Sequence, residues 1–344
     1  MKNDISRQWA FMPPTVGGAE YAARARQVES AGMAGIFVPQ VYSAPFMGLG
    51  FCAAVTERVL LASGIAIAFT RSPFETAMTA MDLDRLSGGR HVLALGASVR
   101  SWVEGFYGEQ HVGRSVPHMR EVIEVVRRIV AESHTGTLDR YEGEYVRHDW
   151  TGFTGAAVPP VRERIPIWLA ANQGALTRLA GEVADGFMSH PIHGVEWAAG
   201  PAGGKLAEGL ARAGRRRSDV HWNAWLWMAL NDDRDQAIED CRGMMAFYGS
   251  LRQYQRVYES DGFGEVAQVC QELVDAGDME AAMAAVPAEM IERYVVVGSA
   301  DECRRAVARI WDVADSFCLV PPLTGLSEEQ LRFYLDGIAD TFYS

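Results

Sequence analysis

Predominantly apolar runs alternate with stretches of helical spacing along the whole chain, and that alternation predicts the fold. The runs lie at residues 9–12, 35–38, 59–68, 91–95, 166–170, 186–189, 220–230 and 316–320. Between and after them, residues 19–31, 48–57, 74–86, 119–132, 174–183, 206–213, 235–248 and 328–342 read as helices, and 119–132 has apolar positions three and four apart. Continuous rather than alternating runs describe strands covered on both faces, as in a parallel sheet. Eight βα repeats is the number at which such a sheet closes, so the expected class is α/β, a (β/α)8 TIM barrel with insertions. No GxGxxG follows the first run, which argues against an open dinucleotide-binding sheet. Two stretches break the rhythm. Residues 136–160 suggest a hairpin and loop, and residues 249–297 several short helices ending at a VVVG run. Both are expected as insertions in a single domain spanning residues 1–344.

Composition narrows the class without changing the fold. At 344 residues, 49% apolar and 22% charged, the chain can bury a large core and is not disordered. Thirty-two basic against 44 acidic residues give a net charge of −12, which argues against binding a nucleic-acid backbone. No apolar run approaches the roughly 18–20 residues of a membrane span. The start, MKNDISRQWAFMPP, lacks the apolar stretch of a signal peptide. Cys52, Cys241, Cys270, Cys303 and Cys318 are odd in number and scattered, as reduced thiols of a cytoplasmic protein are.

Most chemical motifs are missing: there is no GxxxxGK[ST], HExxH or GxSxG. His190 and His193 follow the sixth run, but a histidine pair without nearby carboxylates is a poor metal site, and none is expected. Arg215, Arg216 and Arg217 precede the seventh run and read as a solvated charge cluster. The informative segments follow strands. Asn172, Gln173, Gly174, Ala175 and Leu176 lead from the fifth run into a helix, whose free N–H groups and dipole suit an anion without any lysine. An ordinary Asn-capped helix is the alternative. Gly96, Ala97 and Ser98 after the fourth run are small enough for a flat ligand to approach backbone. Gly64 interrupts the apolar third run, which weakens a strand unless something approaches it there.

Residues 60–98, LLASGIAIAFTRSPFETAMTAMDLDRLSGGRHVLALGAS, resemble the central signature of the bacterial luciferase-like flavin and deazaflavin oxidoreductases. Residues 166–191, PIWLAANQGALTRLAGEVADGFMSHP, resemble that family's second signature, and Phe106-Tyr107-Gly108 its FG step. The likeness spans nearly the whole chain. AIAFTRSP and MMAFYGS look most like a coenzyme F420-dependent subgroup. The resemblance implies a barrel with a ring-shaped cofactor at its C-terminal mouth, a cis peptide at Gly64–Ile65, contacts from Gly96, Ala97 and Ser98, a phosphate at Asn172 to Leu176, and His190 beside the cofactor tail. It also implies a homo-oligomer, a dimer.

Sugar-phosphate dehydrogenases of this family carry Asp-His and Glu where this chain has Pro39-Gln40 and Val99. Neither Gln40 nor Val99 exchanges a proton at neutral pH. Gln40 and Tyr42 remain candidates for lining the pocket or donating a hydrogen bond. The expected function is a cytoplasmic coenzyme F420-dependent oxidoreductase passing a hydride between the deazaflavin C5 and a small organic substrate. The alternatives are an FMN-dependent luciferase-like monooxygenase and a non-catalytic ligand-binding barrel.

Overall fold

The computed structural model describes residues 4–12, 17–40, 43–110, 114–152, 158–172 and 174–342. The order of its elements is that of a (β/α)8 barrel, as the apolar runs predict. The chain divides into two compact units, Ile5–Ser189 with Gly204–Asn223, and Met1–Asp4 with His190–Gly203 and Ala224–Ser344.

In the first unit, strands Gln8–Phe11, Gly35–Val38, Leu60–Ser63, His91–Gly96, Ile167–Ala171 and Gly186–Ser189 pair in parallel in chain order. They are buried almost throughout, as expected of strands covered on both faces. Trp9 anchors this core, stacked on Phe37 at 4.5 Å and tilted against Trp168 at 5.1 Å. The expected hairpin forms from Tyr141–Glu142 and Arg147–His148. Glu121 on the helix Ser115–Glu132 holds it by accepting from the backbone N–H groups of Glu144, Tyr145 and Val146.

The second unit contains the strands Val295–Gly298 and Ser316–Val320, and most of His221–Leu230. This unit also holds the short helices Gln255–Ser260, Gly264–Asp275, Met279–Ala285 and Ala288–Tyr294, and Val295–Gly298 then pairs with Trp227 to Leu230. Asp240 on the helix Arg234–Gly249 accepts from Gln236, Gln330 and the Tyr334 hydroxyl, tying down the closing helix Glu328–Phe342.

Three expectations need correction. The second helix runs Pro45–Val55 rather than 48–57, because proline at its first turn is already set to the helical φ and lacks only an N–H the helix does not use. The third apolar run is two strands, Leu60–Ser63 and Ala66–Ile67, instead of one. The arginine cluster is not simply solvated: Arg215 donates to the carbonyls of Gly181 and Asp219, and Arg217 to that of Val220. All five cysteines are unpaired and buried. Among the described residues, no helix is long and apolar enough to cross a membrane.

Candidate active site

The break in the third strand builds the site. Ala62 lies opposite Val92 and Ala66 opposite Leu95, so four steps on one strand face three on the other. The extra residue makes a bulge at residues 63–65. Ser63 repairs the interrupted ladder: its hydroxyl donates to the Ala94 carbonyl at 2.7 Å and accepts from the Ala94 N–H at 3.0 Å. Within the bulge the Gly64–Ile65 peptide is cis, as the resemblance implies.

Gly96 faces this bulge directly. A Cβ at Gly96 would stand 2.3 Å from Ile65 Cδ1, so the missing side chain is what lets Ile65 lie over the fourth strand's end. Ala97 and Ser98 follow, and Ser98 has φ +57°, a left-handed conformation uncommon for a residue with a side chain. Such a backbone is held by its surroundings and is often found where a ligand sits.

The adjacent strand, Ile167–Ala171, ends beside this loop and leads through Asn172 into the helix Gly174–Val183. Gln173, like Tyr42, lies outside the described residues. The N–H groups of this first turn, including those of Gly174, Ala175 and Leu176, lack intrahelical acceptors, as at any helix start. A helix start suits an anion without requiring lysine, and here two cations flank it as well. A Cβ at Gly174 would be 3.2 Å from Lys205 Cδ and 3.3 Å from Arg178 Nη1. Close helix packing brings Lys205 there: Cβ atoms at Gly181 and Gly209 would stand 2.6 Å from the Leu206 carbonyl oxygen and 2.0 Å from the Arg178 carbonyl oxygen. Among the described residues, only Glu208 answers these two cations, at 2.7 Å from Lys205 and 3.3 Å from Arg178. Arg178 was within reach of the sequence, four residues into the same helix. Lys205 is far away along the chain, and only the fold places it here.

Gln40 is a brace more than a free donor. Its Oε1 accepts from the Ile67 N–H at 2.9 Å and from Arg71 Nη1 at 3.0 Å, and both partners can only donate. That fixes the amide, so Nε2 donates to the Tyr107 hydroxyl at 2.9 Å. Gln40 thereby ties together the loops after three strands. Tyr107 accepts in this bond, which directs its own O–H proton away from Gln40. Sequence reading had not picked out Arg71 or Tyr107 as pocket residues.

His190 belongs to the other unit, where it sits among Trp227, Tyr248 and Tyr254, with ring centroids 5.6–6.0 Å away. Its Nδ1 accepts from the Ile192 N–H at 3.1 Å. Burial, with a smaller effect from His193, pushes its pKa down to about 3. The ring is therefore neutral with its proton on Nε2.

The chain is similar to known proteins over most of its length. Residues 5–314 match the family described as luciferase-like monooxygenase. A Mycobacterium tuberculosis protein named as a candidate coenzyme F420-dependent oxidoreductase is 32% identical over 338 residues, covering 94% of each chain. The 5,10-methylenetetrahydromethanopterin reductase of Methanopyrus kandleri is 28% identical, covering 74% of this chain and 75% of that protein. The structure of the coenzyme F420-dependent tetrahydromethanopterin reductase from Methanopyrus kandleri superposes with a TM-score of 0.80 at 23% identity, over 98% of this chain and 99% of that one. The bulged third strand, the glycine it packs on and the cation-flanked helix start thus stand in an oxidoreductase barrel, and the chain belongs to the luciferase-like monooxygenase family.

Proposed function

We propose that this chain is a coenzyme F420-dependent oxidoreductase acting on a small organic substrate. One observation carries the reading: the bulge packs on Gly96 at the end of the fourth strand, and the neighbouring strand Ile167–Ala171 leads into a helix start flanked by Lys205 and Arg178. A ring bearing a phosphate-linked tail needs those two surfaces side by side. Ile65 and Gly96 would support the ring, Ala97 and Ser98 would border it, and the first turn of Gly174–Val183 would hold the phosphate. When bound, the deazaflavin supplies C5 as hydride donor or acceptor. The protein's own part is to position and desolvate the partners, with Gln40 fixing the loops around them. FMN would fit the same surfaces, and the relative named for coenzyme F420 favours the deazaflavin. Exposed Met47 and Phe51 on the largely apolar helix Pro45–Val55 support pairing of two copies along that face.

Titration following ring fluorescence should show saturable deazaflavin binding and weaker FMN binding. Tight FMN binding with no deazaflavin binding would replace this reading by the monooxygenase one.

The helix start can be tested separately from the fold. Ala175→Asp places a carboxylate in a first helical turn, where the dipole welcomes it, but opposes a phosphate. Lys205→Gln removes one flanking cation. Each should weaken cofactor binding several-fold, on the order of 1 kcal/mol, with an unchanged melting temperature. Wild-type affinity in both variants would leave this helix merely capped.

A further inference from the structure

Arg71 is held differently from Arg90 and Arg162 of the same unit. Arg90 donates to the carbonyls of Ala53, Thr56, Val59 and Ser87 and to the Thr56 hydroxyl. Arg162 pairs with buried Asp84 and donates to the His91 carbonyl. Half-buried Arg71 has the Gln40 amide oxygen at 3.0 Å and the face of Phe46 at 5.1 Å. Among the described residues, no carboxylate lies within ion-pair distance of it. A guanidinium has five N–H donors, and a neutral amide takes one of them without balancing the charge. The acceptor that holds Arg71, Gln40 Oε1, also receives the Ile67 N–H. The uncompensated cation therefore stands at the end of the bulged strand, a few residues beyond Gly64–Ile65. Its place is braced from three loops, and the chain around it carries a net charge of −12.

We propose that Arg71 is a specificity-determining residue that binds a carboxylate of the substrate, so that the enzyme acts on small organic acids. This rests on the oxidoreductase reading above for the word substrate. The binding itself is a property of Arg71 and can be measured without turnover. Gln40 fixes the guanidinium plane, and Phe46 covers one of its faces. The free edge then presents paired N–H groups in the fork geometry that matches a carboxylate. The Tyr107 hydroxyl is held by the same brace, so the acid and any neighbouring carbonyl would meet donors fixed relative to each other.

The test uses cinnamate, cinnamamide and methyl cinnamate as probes of one shape and two charges. Binding is measured by calorimetry, on the free protein and on protein saturated with coenzyme F420. Wild type should bind the acid about tenfold more tightly than the amide or ester, the size of one charge-assisted hydrogen bond. Arg71→Gln should erase the difference, and Arg71→Lys should retain part of it. Ala175→Asp should leave it intact, which separates this cation from the helix start. If Arg71→Gln does not fold, the lysine variant and the salt dependence of the wild-type preference decide. Absence of an acid preference in wild type overturns the proposal, as does its survival in Arg71→Gln. Loss of coenzyme affinity in Arg71→Gln with the acid preference unchanged also overturns it, because the cation would then serve the cofactor. An acid preference in a protein that binds no deazaflavin would instead overturn the cofactor reading and leave this one standing.

Discussion

Gly96→Val should abolish tight cofactor binding while the barrel still folds. The nearest atoms to a Cβ at Gly96 are all on Ile65: Cδ1 at 2.3 Å, Cγ1 at 3.2 Å and Cβ at 3.5 Å. The first contact is the tip of a flexible side chain, so alanine can be admitted by a rotamer change. Valine adds two methyl groups toward Cγ1 and Cβ, which move only if residues 63–65 move. Overpacking of this kind costs about 1–3 kcal/mol, which a chain of this size tolerates. The distortion falls on the surface proposed to back the ring, so coenzyme affinity should drop at least about tenfold for each 1.4 kcal/mol of lost support. Ile65→Ala in the same chain removes the collision and should recover part of the affinity, giving a positive coupling in the double-mutant cycle. Fluorescence titration and melting temperature measured together decide the matter. Unchanged binding in Gly96→Val, or no recovery in the double variant, would separate the bulge from the cofactor site.

The parts of this structure that were legible in the sequence share a physical basis. Strands buried on both faces must be apolar throughout, so residues 35–38 and 91–95 announce themselves, and Gly64 stands out in its run because nothing about a buried strand favours glycine. What stayed hidden depends on contacts distant in sequence. The third run reads as one strand because the bulge is a matter of register: Ser63 bonding to Ala94 replaces a ladder that composition cannot show to be missing. Gly96 was read as room for a ligand, and the structure shows that the room is first taken by Ile65. Lys205 reaches the start of Gly174–Val183 only because Gly181 and Gly209 let two helices approach closely. In the sequence Gln40 reads as an isolated amide available to a ligand. Its role as a brace appears only with Ile67, Arg71 and Tyr107 in place.

Acid should destabilise this protein before most of its carboxylates protonate, and buried His91 and His190 carry most of the effect, with His148 shifted in the same direction by burial. His91 is fully buried, and its Nδ1 lies 3.0 Å from the Leu61 carbonyl oxygen, so that nitrogen carries the proton. Its Nε2 has no partner among the described residues. Burial pushes its pKa down to about 4, opposed by the Leu61 bond and Asp84 and assisted by Arg162. His190 is held neutral in the same direction, with a pKa of about 3. Unfolded, both titrate near 6.5. Below that pH the unfolded chain takes up protons that the folded chain refuses. Their contribution is therefore complete above about pH 6.5 and is lost as pH falls toward 4 and 3. Each such proton is worth about 1.4 kcal/mol per pH unit, so the pair gives a slope of about 2–3 kcal/mol per unit between roughly pH 6 and 4. Glu29 and Glu121 add to the loss only from about pH 5 downward, at the acid end of that window. In each, burial raises the carboxyl but is outweighed by three backbone N–H donors, which hold it below its ordinary value. His91→Asn keeps an N–H for the Leu61 carbonyl and removes the titration, and His190→Asn keeps an acceptor for the Ile192 N–H. Urea midpoints at pH 7.5, 6 and 5 should fall steeply in wild type, less steeply in either single variant, and least in the double variant, where His148 still titrates. Parallel curves for all four proteins would mean that these rings accept protons in the folded state, and that the cluster of His190 with Trp227, Tyr248 and Tyr254 is open enough to solvate an imidazolium.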